Sequence, residues 1–288
     1  MIKIVSMFDK HQDFIELQYN SILNHIKGDY EYIIFNNAST DEQANLNKKE
    51  CDRLGIKCIR IHVNYGNTPS LIAGEALNKS FEHFSTERVF KIDSDMFFTS
   101  DINLDDILSE SDLFYIPNYK PGLEIMWSGV FGINLSKVNI KLDFHPGVTH
   151  GTDTFGQSSQ LTVDTNLSKK VFNLYNLQDI NNGIATTSLN VDCLIKIENG
   201  NIIEIERSEY INNSLLSGLT AKYKYIEETM IKYQFPTPYN IDIIELDGVD
   251  FIIHFKSSNW CPWYTEEYIK SKKEALKKYL NKNYKSKL

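Results

Sequence analysis

Long apolar runs, paired cysteines and glycine-rich phosphate loops are all missing from these 288 residues. No apolar stretch approaches the roughly 20 residues that a membrane-spanning helix needs, so no transmembrane segment is expected. The four cysteines, Cys51, Cys58, Cys193 and Cys261, form no C-x-x-C pair, which argues against a zinc site or a redox couple. Scattered thiols fit a reducing compartment. The stretch Met1–Val5 reads straight into a strand rather than a signal peptide, and the expected location is cytoplasmic. Positive charge is also short: 30 Lys and Arg stand against 38 Asp and Glu, a net charge of -8. That balance argues against a nucleic-acid partner bound by phosphate attraction. Neither G-x-x-x-x-G-K-[ST] nor G-x-G-x-x-G occurs, which argues against P-loop NTPases and nicotinamide or flavin Rossmann enzymes.

What is present is an ordinary globular composition, 42% hydrophobic and 24% charged. Apolar runs at Ile2–Phe8, Tyr30–Phe35, Ile56–Val63 and Arg88–Ile92 read as strands. Helical patterns lie between them. Residues 11–26 carry an apolar stripe, Ser39 with Glu42 is a capping-box pattern for a helix to Leu54, and Thr68-Pro69 opens a helix to about Phe84. This alternation predicts a parallel sheet covered by helices, whose ligands bind beyond the carboxyl ends of the strands. Polar clusters fall at three of those ends: Asn36 to Asp41, Asn64 to Asn67, and Asp93 to Asp95. Later, Leu113–Asn118 and Met126–Asn134 read as strands. Asn199-Gly200 and Asp247-Gly248 mark two hairpins, and Thr265 caps a last, lysine-rich helix read as a solvated face.

The pair Asp93 and Asp95 follows an apolar strand at i and i+2 spacing, which in extended backbone aims both carboxylates one way. Two such charges need a cation between them, and a hard divalent ion is the obvious candidate. The alternative is a solvated turn, where Asp and Ser are frequent. Near the other end, His254 and Lys256 share a spacing that could complete a metal sphere and hold a phosphate oxygen. A structural histidine in a strand is the competing reading.

With these motifs in order, the first hundred residues resemble the nucleotide-binding half of a GT-A glycosyltransferase, closest in pattern to family 2. The likeness rests on Asn37-Ala38-Ser39-Thr40-Asp41, on Asn64-Tyr65-Gly66 with Ala76-Leu77-Asn78, and on the DXD motif Asp93-Ser94-Asp95. Met126-Trp127-Ser128-Gly129-Val130-Phe131-Gly132-Ile133-Asn134 is similar to a family 8 strand that lies beside the sugar donor, with Trp127 in place of its Asn. The segment from His254 to Trp263 resembles the family 8 C-terminal motif, with Ser257 replacing Gly and Cys261 before the Pro. The resemblance implies an α/β GT-A (Rossmann-like) fold: a mostly parallel sheet flanked by helices, with a mixed or antiparallel C-terminal part. Residues 1–100 would be the nucleotide-sugar half, and 101–288 the acceptor-binding and C-terminal half of the same domain.

It also implies the site. Phe35, Asn36, Asn37, Asp41, Asn64, Gly66, Asp93, Ser94, Trp127, Ser128, Gly129 and Lys256 would contact the nucleotide sugar. Asp93, Asp95 and His254 would hold Mn2+ or Mg2+, and Asp153 would act as general base or orient the acceptor. The donor would be a nucleoside-diphosphate sugar, with UDP the expected carrier, and the acceptor a glycan or a lipid- or protein-linked hydroxyl. The front half points to inversion and the back half to retention. Two rivals stay open, a DxD phosphatase and a non-catalytic sugar-nucleotide or glycan-binding protein.

Overall fold

The computed structural model describes residues 1–64, 68–120, 123–146, 159–164, 166–180, 183–188, 193–198, 201–207, 213–237, 239–256 and 265–282. In chain order the elements begin β1 (Ile2–Phe8), α1 (Asp13–His25), β2 (Ile26–Lys27), β3 (Tyr30–Asn36), α2 (Asp41–Leu54), β4 (Lys57–Arg60) and α3 (Pro69–Phe81). They continue with β5 (Arg88–Ile92), β6 (Met96–Phe98), β7 (Ile102–Asn103), α4 (Leu104–Glu110), β8 (Leu113–Lys120), β9 (Leu123–Asn134), α5 (Gln160–Val163) and β10 (Lys169–Val171). The rest comprises β11 (Asn173–Ile180), β12 (Gly183–Ser188), β13 (Cys193–Glu198), β14 (Asn201–Arg207), α6 (Asn213–Lys232), β15 (Ile241–Leu246), β16 (Val249–His254) and α7 (Glu266–Asn281).

The chain forms two units. Met1–Ser94 with Asp101–Phe172 makes the first, and Asp95–Ser100 with Asn173–Leu288 the second. The first unit holds a mostly parallel seven-stranded sheet in the order β10-β8-β9-β5-β1-β3-β4. β1 pairs in parallel with both β3 and β5, β3 with β4, and β10 with β8, while β9 runs antiparallel to β5 and β8. The strand order reverses at β1, so the crevice beyond the carboxyl ends of β1 and β5 is the switch point where such sheets take ligands.

Strand alternation sorts side chains onto two faces. Val5, Ile33, Phe35 and Val89 pack with Ala76, Leu77 and Phe81 of α3 and with Phe131 and Phe144. Each such large side chain removed from water contributes about 1.5–3 kcal/mol. The opposite face carries Ser6 and Tyr32 and is covered by α1, whose fully buried Gln18 lies 2.7 Å from Ser6 Oγ and accepts from Tyr32 Oη at 2.6 Å. The cap of α2 is Thr40 rather than Ser39. Its backbone is extended (φ -125°, ψ 152°), and its Oγ1 accepts from Gln43 N at 3.2 Å. Gly55 ends that helix at φ 70°, a left-handed conformation that glycine adopts without strain.

The second unit holds an antiparallel sheet in the order β14-β13-β12-β11-β15-β16-β6. Both hairpins read from the sequence are there, β13–β14 and β15–β16. Its edge strand, β6, comes from far earlier in the chain, with Met96 opposite His254. Thr265 caps α7 by accepting from Tyr268 N at 3.1 Å. No helix among the described residues is long and apolar enough to cross a membrane.

Candidate functional site

The DXD stretch divides between the units, Asp93 and Ser94 ending the first segment of one and Asp95 opening the other. Ser94 and Asp95 form a turn, so the alternation that would aim two strand carboxylates the same way does not apply.

In the first unit, Asp93 follows β5 at the switch point. Its N–H donates to Gly129 O at 2.9 Å, and its carbonyl accepts from Gln18 Nε2 at 2.7 Å. Its carboxylate pairs with Lys91, a buried lysine one residue before the end of β5 that also donates to the carbonyls of Ser128 and, at 3.2 Å, Gly129. Lys91 escaped the sequence reading. The available signal was a charged residue inside an apolar run, two positions before the aspartate and hence on its side of the strand.

The polar turn after β3 is tightly held. Asn36 is buried, donates to Ala44 O at 2.8 Å and accepts from Ala38 N at 3.3 Å. Arg60 donates to the carbonyls of Asn36 and Ala38 at 2.9 and 2.8 Å, and Asn47 donates to Phe8 O at 3.2 Å. Asn37 N donates to Phe8 O at 3.1 Å, and Asp9, just past β1, accepts from Ser39 N at 2.9 Å. Phe35 lies in the core, its ring 5.4 Å from that of His83 and 6.0 Å from that of Phe84. Asp41 is exposed in the first turn of α2, and Asn64 is exposed with its N–H on Glu75 Oε2 at 3.0 Å. Trp127 folds over Gly129, where a Cβ would stand 2.6 Å from the indole. The small residue thus admits the chain's own ring. Gly66 and Asp153 lie outside the described residues.

In the second unit, the register of β15 and β16 sets Asp242 opposite His254. His254 Nδ1 is 2.8 Å from Asp242 Oδ2, and its Nε2 is 3.4 Å from Asp95 Oδ1. Asp95 is fixed there because Phe255 N donates to its carbonyl at 2.8 Å. Lys256, with φ at 50°, places its ammonium 3.1 Å from Asp242 Oδ1, and Asn176 donates to the same oxygen. His254 and Lys256 therefore converge on one buried carboxylate that the sequence reading did not single out. Lys272 of α7 is not solvated: it is buried and donates to the carbonyls of Asn240, Phe255 and Lys256, bracing the end of β16.

The electrostatics follow from this packing. Burial works against the His254 imidazolium, but Asp95 and Asp242 outweigh it and push its pKa up to about 9. Burial also opposes ionisation of Asp242, yet Lys256, His254 and Asn176 hold its carboxyl below the ordinary value.

Among the described residues no group of three or more His, Cys, Asp or Glu side chains is arranged to hold a metal ion. Asp95 Oδ1 and, once a cation displaces its proton, His254 Nε2 nevertheless suit a hard cation that arrives with phosphate oxygens, since such ions commonly take only one or two protein carboxylates. The two atoms lie 3.4 Å apart. Asp242 on Nδ1 supplies the outer carboxylate that metal-bound histidines commonly carry.

No family model and no curated protein matches the sequence. Solved structures that the chain resembles in part include the mannosyltransferase PcManGT from Pyrobaculum calidifontis in complex with GDP-Man and Mn2+. That likeness has 12% identity and a TM-score of 0.44, and covers 59% of this chain and 54% of that one. The galactosyltransferase LgtC, in complex with donor and acceptor sugar analogs, gives 15% identity and a TM-score of 0.36 over 48% and 59%. TarS from S. aureus in complex with UDP gives 19% and 0.31 over 41% and 35%. The chain thus spans between 35% and 59% of the length of these structures.

Proposed function

We propose that the chain is a divalent-cation-dependent glycosyltransferase that moves a sugar from a nucleoside-diphosphate sugar, UDP being the expected carrier, to a hydroxyl of a glycan or of a lipid- or protein-linked acceptor. The observation that carries this reading is His254 held by Asp242 on one ring nitrogen and facing Asp95 with the other. Asp95 and His254 would hold Mn2+ or Mg2+. Such an ion, when bound, supplies charge neutralisation for a departing diphosphate. Asp242 keeps the imidazole oriented, and Lys256 adds a positive charge beside it.

Asp93, already paired with Lys91, is assigned to the donor ribose or to the same cation, and Asn37, Asp41, Asn64 and Gly66 to the nucleoside. Phe35 and Asn36 shape that turn from within, while Trp127, Ser128 and Gly129 border the donor and Ser94 links the two aspartates. In an inverting reaction Asp153 takes the acceptor proton, whereas in a retaining one the leaving phosphate does.

The test is Mn2+ and nucleotide binding by calorimetry, with slow donor hydrolysis over a panel of UDP-, GDP- and dTDP-sugars. Asp95→Asn and His254→Gln should each lose cation-dependent nucleotide binding while circular dichroism shows a retained fold. Unchanged binding in both variants removes the cation from the reading. One observation favours a non-catalytic binding protein instead: Asp93 and His254 already have partners of opposite charge. Tight UDP–Mn2+ binding with neither hydrolysis nor transfer would establish that alternative.

A further inference from the structure

The second unit has a cavity of about 240 Å3 lined by the second half of α6, the end of α7 and the residues Thr99, Ser100 and Asp250, apart from every residue used above. Tyr233 forms one wall, its ring set edge-on to Tyr279 at 5.1 Å. Lys232 Nζ lies 5.8 Å from the centre of the Tyr233 ring and Lys282 Nζ 5.7 Å from it. Among the described residues neither ammonium meets a carboxylate. The acid in the cavity wall, Asp250, is already paired with Lys222.

A cation over an aromatic face is held in place without being neutralised. Lys232 and Lys282 are both exposed, so the field of two charges set on one ring is still available to a ligand. The simpler account is that Lys232 and Lys282 offset the negative ends of α6 and α7. It accounts for lysine at each helix end but not for both ammonium groups gathering on one ring at the wall of a cavity.

We propose that this cavity binds a phosphate monoester, with Lys232 and Lys282 as its two positive charges and the Tyr233 ring as the platform that holds them. A dianion matches two ammonium groups, and lysine serves as a point-charge phosphate binder. The volume exceeds that of a bare phosphate, leaving room beside Tyr279 for part of the molecule that carries it. Nothing in this proposal depends on the glycosyltransferase reading.

The probe is inorganic phosphate, titrated against the full chain in chelator at constant ionic strength and read by thermal shift and calorimetry. A saturable effect is expected that is lost in Lys232→Gln/Lys282→Gln, falls about tenfold or more in Tyr233→Ala, and persists in Tyr233→Phe, which keeps the ring. The Tyr233 hydroxyl is buried and lies beside Lys282, whose pKa it raises, so Tyr233→Phe separates the part played by the ring from that of the hydroxyl. Asp95→Asn should leave the effect intact, which separates this cavity from the cation-binding residues. Phosphatidic acid vesicles, with phosphatidylcholine as control, distinguish the source. Sedimentation with them that inorganic phosphate reverses identifies a lipid headgroup, and binding of free phosphate alone identifies a soluble ester. Absence of a saturable effect with either probe, or an unchanged effect in the double lysine variant, overturns the proposal.

Discussion

His254 has both ring nitrogens facing carboxylates, and that arrangement makes its proton part of the stability of the second unit. Its folded pKa of about 9 lies above the ordinary value near 6.5, so the charged form is favoured by folding. The stabilisation is fully present below about pH 6.5 and is lost as pH climbs through about 9, an upper limit of ~3 kcal/mol. In chelator, the urea midpoint of the wild type should fall between pH 7 and pH 9.5, and His254→Gln should flatten that fall. An equal fall in both would mean the imidazole is neutral in the fold. Asp242 works in the opposite direction. Its depressed pKa adds stability above about pH 3.9 that disappears as pH drops below it. These partners were only half legible in the sequence. His254 and Lys256 stood out by spacing, whereas Asp242 lies on the facing strand of a hairpin whose register the turn residues do not spell out. Lys91 was hidden for another reason, since a buried lysine is rare enough that an apolar run is read through it.

Two glycines show how context decides the sign of one substitution. At Gly74, inside α3, an added Cβ would stand 2.8 Å from Phe144 O and 2.9 Å from His145 Cα, both backbone atoms that cannot rotate away. Asn78 fastens the same segment, accepting from Phe144 N at 3.0 Å and donating to Asp143 Oδ1 at 3.2 Å. Gly74→Ala should therefore destabilise by about 1–3 kcal/mol. At Gly218, inside α6, no atom among the described residues comes within 4 Å of an added Cβ, so Gly218→Ala should stabilise by up to about 1 kcal/mol through helix propensity alone. Paired thermal unfolding measures both signs, and a stabilising Gly74→Ala would refute the close approach. The strands of the first unit were readable because continuous apolar runs end in turn residues. The choice of Thr40 over Ser39 as cap was not, because both side chains can accept the bond and only the backbone angle at Thr40 decides. Short elements such as β6 and α4 were missed because three to seven residues give no period to detect.

Over the whole molecule, the two units do not follow the chain's halves. Residues 95–100 belong to the second unit although they are flanked by segments of the first. Met96, Phe97 and Phe98 are fully buried against β16, which a chain ending at residue 172 would lack. A fragment of residues 1–172 should thus expose an apolar edge strand and self-associate. Size-exclusion chromatography with light scattering reads this directly, and a folded, monomeric fragment would show that β6 is not needed where it sits. The parallel architecture was visible from the alternation of runs. This exchange of a segment was not, because it depends on a pairing between residues far apart in sequence.

The same pairing sets a clock on synthesis. Thr99 and Asp250, joined by a 3.1 Å hydrogen bond, are 151 residues apart. At about 5–20 residues per second, a ribosome would leave β6 waiting on the order of 10–30 s for the strand that shelters it. During that interval three bulky apolar side chains stay open to any binder of nascent polypeptide, so the yield of folded protein should depend on chaperone supply more than on final stability.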